Sequence, residues 1–196
     1  MSIQPISVQR LVRSCLQLAL AANFALAGQS GFSLPDTAGK THTSDDLRLN
    51  KATVFIFVAI DCPNSNTYAP VLARLYREYS PRGVAFYNVY SDPEETADAV
   101  RKHDSDFQTP FPALLDVHQT LARQTGARST PEAVILGPDG QELYRGRVDD
   151  RFVDFGKTRF HPTQNDLAEA LDAILQGKHA PHPVTRVLGC AIPGIN

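Results

Sequence analysis

Ala52-Thr53-Val54-Phe55-Ile56-Phe57-Val58-Ala59-Ile60-Asp61-Cys62-Pro63-Asn64-Ser65-Asn66 decides how this chain folds. Residues 52–60 are almost continuously apolar and rich in β-branched and aromatic side chains. A run of that kind predicts a central strand buried on both faces, the mark of a layered α/β sheet. A polar turn with one cysteine follows at once. Beyond it Tyr68, Val71, Leu72, Leu75 and Tyr79 recur at helical spacing. The chain thus passes from buried strand to helix through Cys62.

Further along, Val84 to Tyr90 predicts a second strand. Asp92-Pro93-Glu94-Glu95 carries a cap, a proline at the first helical position and a capping-box acid, so a helix is expected from there to about Asp104. Phe111 to Leu115 is a short apolar piece, and Val117 to Thr125 a short helix stopped by Gly126. Glu132 to Leu136 and Glu142 to Arg147 flank a Pro138-Asp139-Gly140 turn and predict a hairpin. Thr163-Gln164-Asn165-Asp166 caps a last helix with core face Leu167, Ala170, Leu171, Ile174 and Leu175, ended by Gly177. On the N-terminal side, Phe32 to Pro35 is extended and Ser44 to Leu47 reads as one capped helical turn. The alternation β-α-β-α-β-β-α predicts parallel strands joined by helices, plus an antiparallel hairpin.

Composition agrees with one such domain. The chain has 196 residues, 42% hydrophobic and 20% charged, with a formal net charge of −2. There is enough apolar material for a core and no basic excess of the kind that nucleic-acid binders show. Three cysteines are too few for a disulfide-rich mini-protein.

Residues 1–27 read as a signal peptide: Arg10 and Arg13, a Leu/Ala-rich stretch, then Ala25-Leu26-Ala27 at the cleavage positions. The stretch is too short and interrupted to span a bilayer. Cleavage removes Arg10, Arg13 and Cys15, takes the net charge from −2 to −4 and leaves Cys62 and Cys190. The expectation is an exported, periplasmic or extracellular protein with no stable membrane anchor after cleavage. Residues 32–177 form the domain and residues 178–196, with three prolines and no period, an irregular tail.

Cys62 before a helix, Pro70 eight residues on, and the run Ala69-Pro70-Val71-Leu72-Ala73-Arg74-Leu75 resemble the active-site helix of the thioredoxin superfamily. Ser129-Thr130-Pro131-Glu132, preceding a strand and a Pro-Asp-Gly hairpin, is similar to that family's cis-proline loop. Among subgroups the chain looks most like the secreted redoxins of the alkyl hydroperoxide reductase and thiol-specific antioxidant (AhpC/TSA) class. The resemblance implies a three-layer α/β fold, a central mixed sheet flanked by helices. It also implies a redox cysteine at Cys62 and a loop at Thr130 and Pro131 that faces it and pairs with a substrate backbone. Two departures stand out. Ser65 takes the place of the second cysteine of Cys-x-x-Cys. Phe55 and Ala59 stand where peroxiredoxins place Pro and Thr or Ser.

A helix N-terminus stabilises a thiolate, and in related motifs the thiol pKa falls to ~3.5–7.5. Cys62 is therefore the candidate nucleophile, expected to be ionisable and reachable. Ser65 is a candidate hydrogen-bond donor to its sulfur. Asp61 and Pro63 are supporting residues, Asp61 either capping the turn or raising the thiol pKa. Cys190 is the one candidate for a resolving cysteine. The thirteen residues after Gly177 reach roughly 43 Å, well beyond the ~15 Å radius of such a domain. Catalytic pairing and a structural staple stand as equal readings of Cys190, and a free thiol as a third. Residues 148–162 form a long excursion, read as a surface loop held by its own ion pairs or as a lid bringing Arg147 or Arg151 to the cysteine.

Three functions remain in play. The first is a thiol–disulfide oxidoreductase acting on protein or small-molecule thiols and disulfides, with an unidentified electron donor. The second is a thiol peroxidase. The third is a binding or copper-carrying domain whose disulfide is structural. No cofactor is indicated.

Overall fold

A computed structural model of the chain describes residues 31–154 and 156–195. The expected signal peptide lies outside the described residues. The centre of the molecule is a five-stranded sheet in the order β5-β4-β3-β7-β8. Its strands are β3 (Ala52–Val58), β4 (Val84–Tyr90), β5 (Ala113–Leu115), β7 (Glu132–Leu136) and β8 (Glu142–Gly146). β3 runs parallel to β4 and antiparallel to β7, β4 runs parallel to β5, and β7 and β8 form the hairpin. The sheet is mixed, as expected.

Every residue of β3 is buried. Period-two alternation sends its side chains into two separate cores. Val54, Ile56 and Val58 face α1 (Pro63–Tyr79) and α4 (Asp166–Leu175), meeting Tyr68, Leu72, Leu75, Leu167 and Leu171. Phe55 and Phe57 face the other way, onto α3 (Thr120–Thr125) and the N-terminal β1 (Ser33–Pro35), where Phe32, Leu34 and Leu121 pack. These are the three layers. β1 pairs with β2 (Thr41–Thr43), which leads into a 3-10 turn at Ser44–Leu49.

Several boundaries differ from the sequence reading. β3 ends at Val58 rather than Ile60, because the Cys62 N–H turns back to the Ala59 carbonyl at 3.2 Å. α2 (Ala97–Asp106) has Thr96 as its cap and does not start at Pro93. Asp92 closes a tight turn on itself, accepting the Glu94 N–H at 2.9 Å, and the Glu95 carboxylate is drawn away to the Ile60 N–H at 2.9 Å. α3 starts at Thr120 because the Gln119 N–H folds onto the Asp116 carbonyl at 2.7 Å. Thr163 does not cap α4, which Asn165 precedes: Asp150 takes the Thr163 N–H at 2.7 Å.

The largest correction concerns the tail. Residues 178–196 are not wholly irregular. Cys190–Ala191 form a short strand, β11, antiparallel to β6 (Ser129–Thr130). Upstream, a parallel bridge joins Val184 to Arg145, and the Thr185 N–H donates to the Arg145 carbonyl at 3.0 Å.

Glu95 makes one consequence measurable. Burial, with Asp92 and Asp61 nearby, raises its carboxyl from 4.5 to about 7 against the opposing Ile60 hydrogen bond. Between those values the folded chain holds a proton that the unfolded chain has lost, so stability falls as pH rises through that window. Glu95→Gln keeps an acceptor for Ile60 and carries no charge. Thermal unfolding should then show Tm higher by roughly 2–4 °C above pH ~7, with no gain in acid.

Candidate active site

Cys62 is the N-cap of α1, with extended backbone, and Pro63 takes the first helical position, where its missing N–H removes nothing. The Cys62 carbonyl accepts the Asn66 N–H at 3.1 Å, the first bond of the helix. Asn66 is itself pinned: its amide donates to the Ile60 carbonyl at 3.1 Å, and His103 Nε2–H donates to its Oδ1 at 2.8 Å. The strand-to-helix turn is thus fixed by side chains on both sides of the sulfur. Pro70 lies inside the helix and removes one of its hydrogen bonds.

Opposite the helix start lies the β6 loop, whose Thr130–Pro131 peptide bond is cis. The Cys62 thiol donates to the Thr130 carbonyl at 3.1 Å. The loop is shaped from beneath by Glu132, buried at the start of β7. One of its carboxylate oxygens accepts the N–H groups of Arg128 at 2.9 Å and Ser129 at 3.0 Å, and Arg145 approaches the other at 3.7 Å.

The hydroxyls of Ser65 and Thr130 are buried and make no hydrogen bond while Cys62 is a thiol. Both lie where they can donate to its anion. They are pre-positioned donors that ionisation would satisfy. β11 places Cys190 opposite Thr130, near enough for its thiol to help stabilise the Cys62 anion. Burial pushes the Cys62 pKa up, but donors at Cys190, Ser65 and Thr130 more than offset it and bring the thiol from 9.0 down to about 7. Burial and the Cys62 charge push Cys190 the other way, to about 11. Between about pH 7 and about 11 the pair shares one proton, favoured on Cys190. A spectroscopic thiolate titration of the reduced protein should therefore show two separated steps, near 7 and near 11. A single step at the ordinary thiol value would contradict the pairing.

The remaining candidates are less central. Asp61 is exposed, and its charge acts on Glu95 and His103. Pro63 is exposed at the helix tip. Arg147 and Arg151 do not serve Cys62. The Arg147 guanidinium binds Asp166 at 2.8 Å and Gln164 at 2.6 Å. Arg151 lies over the Tyr68 ring, 5.5 Å from its centroid. The 148–162 excursion contains a two-stranded hairpin, β9 (Phe152–Asp154) with β10 (Lys157–Thr158). It is held by its own bonds: Tyr68 donates to Asp149, and Asp150 binds Thr163 and Arg159. Among the described residues no group of three or more His, Cys, Asp or Glu is placed to hold a metal ion.

Reachability is the expectation that fails. Cys62 is only 1% exposed. Cys190 and its strand lie across the helix mouth, and the pockets beside the site are small, about 20 Å³ near Ser65 and about 10 Å³ near Pro131. Sequence reasoning also missed Thr130 as a thiolate donor, Glu132 as the support of its loop, and Asn64, whose amide donates to the Leu188 carbonyl at 3.3 Å.

A cysteine capping a helix that leaves a central strand, facing a cis-proline loop, defines a thioredoxin-like redoxin. The AhpC/TSA family profile matches residues 28–142, more than half of the chain, and the chain belongs to that family. Comparison with curated proteins gives no match. Among solved structures, an uncharacterized conserved protein from Geobacillus kaustophilus is similar at 29% identity and a TM-score of 0.73, over 84% of this chain and 88% of that one. A hypothetical protein from Sinorhizobium meliloti 1021 is also 29% identical, with a TM-score of 0.72 over 84% of this chain and 91% of that one. A secreted Mycobacterium tuberculosis disulfide oxidoreductase homologous to E. coli DsbE shares the fold at 17% identity and a TM-score of 0.52, over 74% of this chain and 95% of that one.

Proposed function

We propose that this chain is an exported thiol–disulfide oxidoreductase in which Cys62 attacks and Cys190 resolves. The observation that carries it is the meeting of two free thiols at Thr130, whose carbonyl accepts the Cys62 thiol at 3.1 Å and whose strand pairs with Cys190. The Cys62 thiolate attacks one sulfur of a partner disulfide. A Cys62–partner disulfide forms, and the partner's second sulfur leaves as thiolate. Cys62 is now neutral, so the charge that raised the Cys190 pKa is gone. Cys190 loses its proton and attacks the Cys62 sulfur, and the partner's first sulfur leaves. The partner has gained two electrons, and this chain ends with a Cys62–Cys190 disulfide. An outside dithiol restores it, and the cycle run backwards oxidises a partner.

Ala59 offers no hydroxyl to polarise a peroxide, which favours disulfide over peroxide as substrate. Export rests on the residue 1–27 pattern and on the suitability of an oxidising compartment for a working cysteine pair. Residues 32–177 are then the redoxin domain and 178–196 its resolving arm. Mixing reduced protein with a small aromatic disulfide and reading mass and peptide map tests the proposal. The Cys62–Cys190 bond should form, and a dithiol should open it. Cys62 left as a thiol, or a bond that the dithiol cannot open, would refute it.

A further inference from the structure

The groove over Cys62 is filled by the chain itself, and the filling is specific at each position. Leu188 offers its carbonyl to the Asn64 amide at 3.3 Å, and with Val187 it lines the slot between Tyr68 and Pro131. At Gly189 a side chain has no room: a Cβ there would lie 2.1 Å from the Thr130 carbonyl oxygen and 2.8 Å from its carbon. Cys190 pairs with Thr130 and Ala191 with Ser129. The Ile192 side chain is buried in the second core, and its N–H donates to the Arg128 carbonyl at 2.9 Å. The strand therefore reads apolar, Gly, Cys, small, apolar from its start to Ile192.

While that strand is seated no outside disulfide reaches Cys62. When it lifts, it uncovers the pairing groups of β6, whose sole strand partner among the described residues is β11. It also uncovers the Asn64 amide and the slot at Pro131. Those groups present the same demands to whatever enters next. We propose that residues 187–192 are an internal copy of the partner's recognition segment. On the oxidoreductase reading above, the partner is a protein whose reactive cysteine lies in an extended apolar-Gly-Cys-small-apolar stretch. It binds by replacing β11 on β6. Resolution and release are then one event, because the returning strand carries Cys190 into the seat the partner holds.

The test uses the full chain carrying Cys190→Ser, so that adducts on Cys62 accumulate. The probe is the peptide Arg-Val-Leu-Gly-Cys-Ala-Ile-Pro, its cysteine joined by a disulfide to glutathione, beside the same peptide with valine in place of glycine. A second protein adds Ile192→Asp to unseat the strand. Gly189→Val, which cannot seat, serves the same purpose should Ile192→Asp fail to fold. The glycine peptide should modify Cys62 about tenfold faster on the opened protein than on the seated one, since the seated form is competent only for the fraction of time its strand is lifted. On the opened protein it should outrun the valine peptide by a similar factor. Equal rates for the two peptides, or for the two proteins, would overturn the proposal. A small aromatic disulfide separates the layers. If it modifies Cys62 while the peptides are not distinguished, strand recognition alone is lost. If it too leaves Cys62 untouched in the opened protein, the oxidoreductase reading falls.

Discussion

Cys62→Ala should abolish disulfide exchange, with a loss of at least ~10³-fold in rate against a small disulfide, because no other sulfur can take over the attack. Cys190 cannot substitute: its thiol is pushed to about 11, so it carries almost no thiolate at neutral pH. The fold should survive, since alanine suits a buried N-cap that makes no side-chain capping bond. Cys190→Ala behaves differently. The first attack persists, and the product stops at the mixed disulfide. Removing the Cys190 donor also withdraws the first of the hydrogen bonds that lower the Cys62 pKa, so the midpoint of its thiolate titration should move upward from about 7. Rate against pH for both variants checks the two statements together. A Cys62→Ala protein that still exchanges disulfides would remove Cys62 from its role.

Glu132→Ala should be the most damaging single change away from the sulfurs. Its carboxylate, 5% exposed, accepts two backbone N–H groups of the loop that carries Thr130. Truncation leaves both donors unpaired and strips Arg145 of a partner. Charge-assisted bonds of this kind put the expected loss at about 2–4 kcal/mol. Denaturant unfolding would show it as a lower midpoint. The Thr130 carbonyl and hydroxyl would lose their fixed placement, so the Cys62 titration should also shift upward. A variant as stable as the parent, with the same titration, would show that the loop holds its shape unaided.

What the sequence conveyed follows from the range of the interactions involved. The buried run at 52–60 and the helical spacing after Cys62 are local patterns, and both elements stand where expected. The Asp139-Gly140 hairpin is equally local, and β7 and β8 flank it. The α2 start was misplaced because Asp92 and Glu95 look like caps in isolation, whereas Glu95 answers to Ile60, distant in the chain. The same holds for Thr163, which Asp150 claims. At the site, the family resemblance pointed to Cys62, Thr130 and Pro131, and the structure brings the Cys62 thiol to the Thr130 carbonyl beside a cis Thr130–Pro131 bond. The route of residues 178–195 was not. It depends on one glycine fitting against one carbonyl and on Ile192 finding a core made by other elements. Neither leaves a periodic signal. Arg147 and Arg151 show the converse: their charge suggested a role beside the thiol, but nearer acids and an aromatic ring engage them.

The β6–β11 pairing also bears on when the thiol becomes acidic. Cys62 borrows donors from Thr130, separated from it by 68 residues, and from Cys190, farther still. Contacts of such wide separation form late, after the entropy of closing long loops has been met. A chain part-way to its native shape therefore carries an ordinary, mostly protonated sulfhydryl at neutral pH. On the proposed reading, the sulfur that attacks becomes reactive only once β6 and β11 have met.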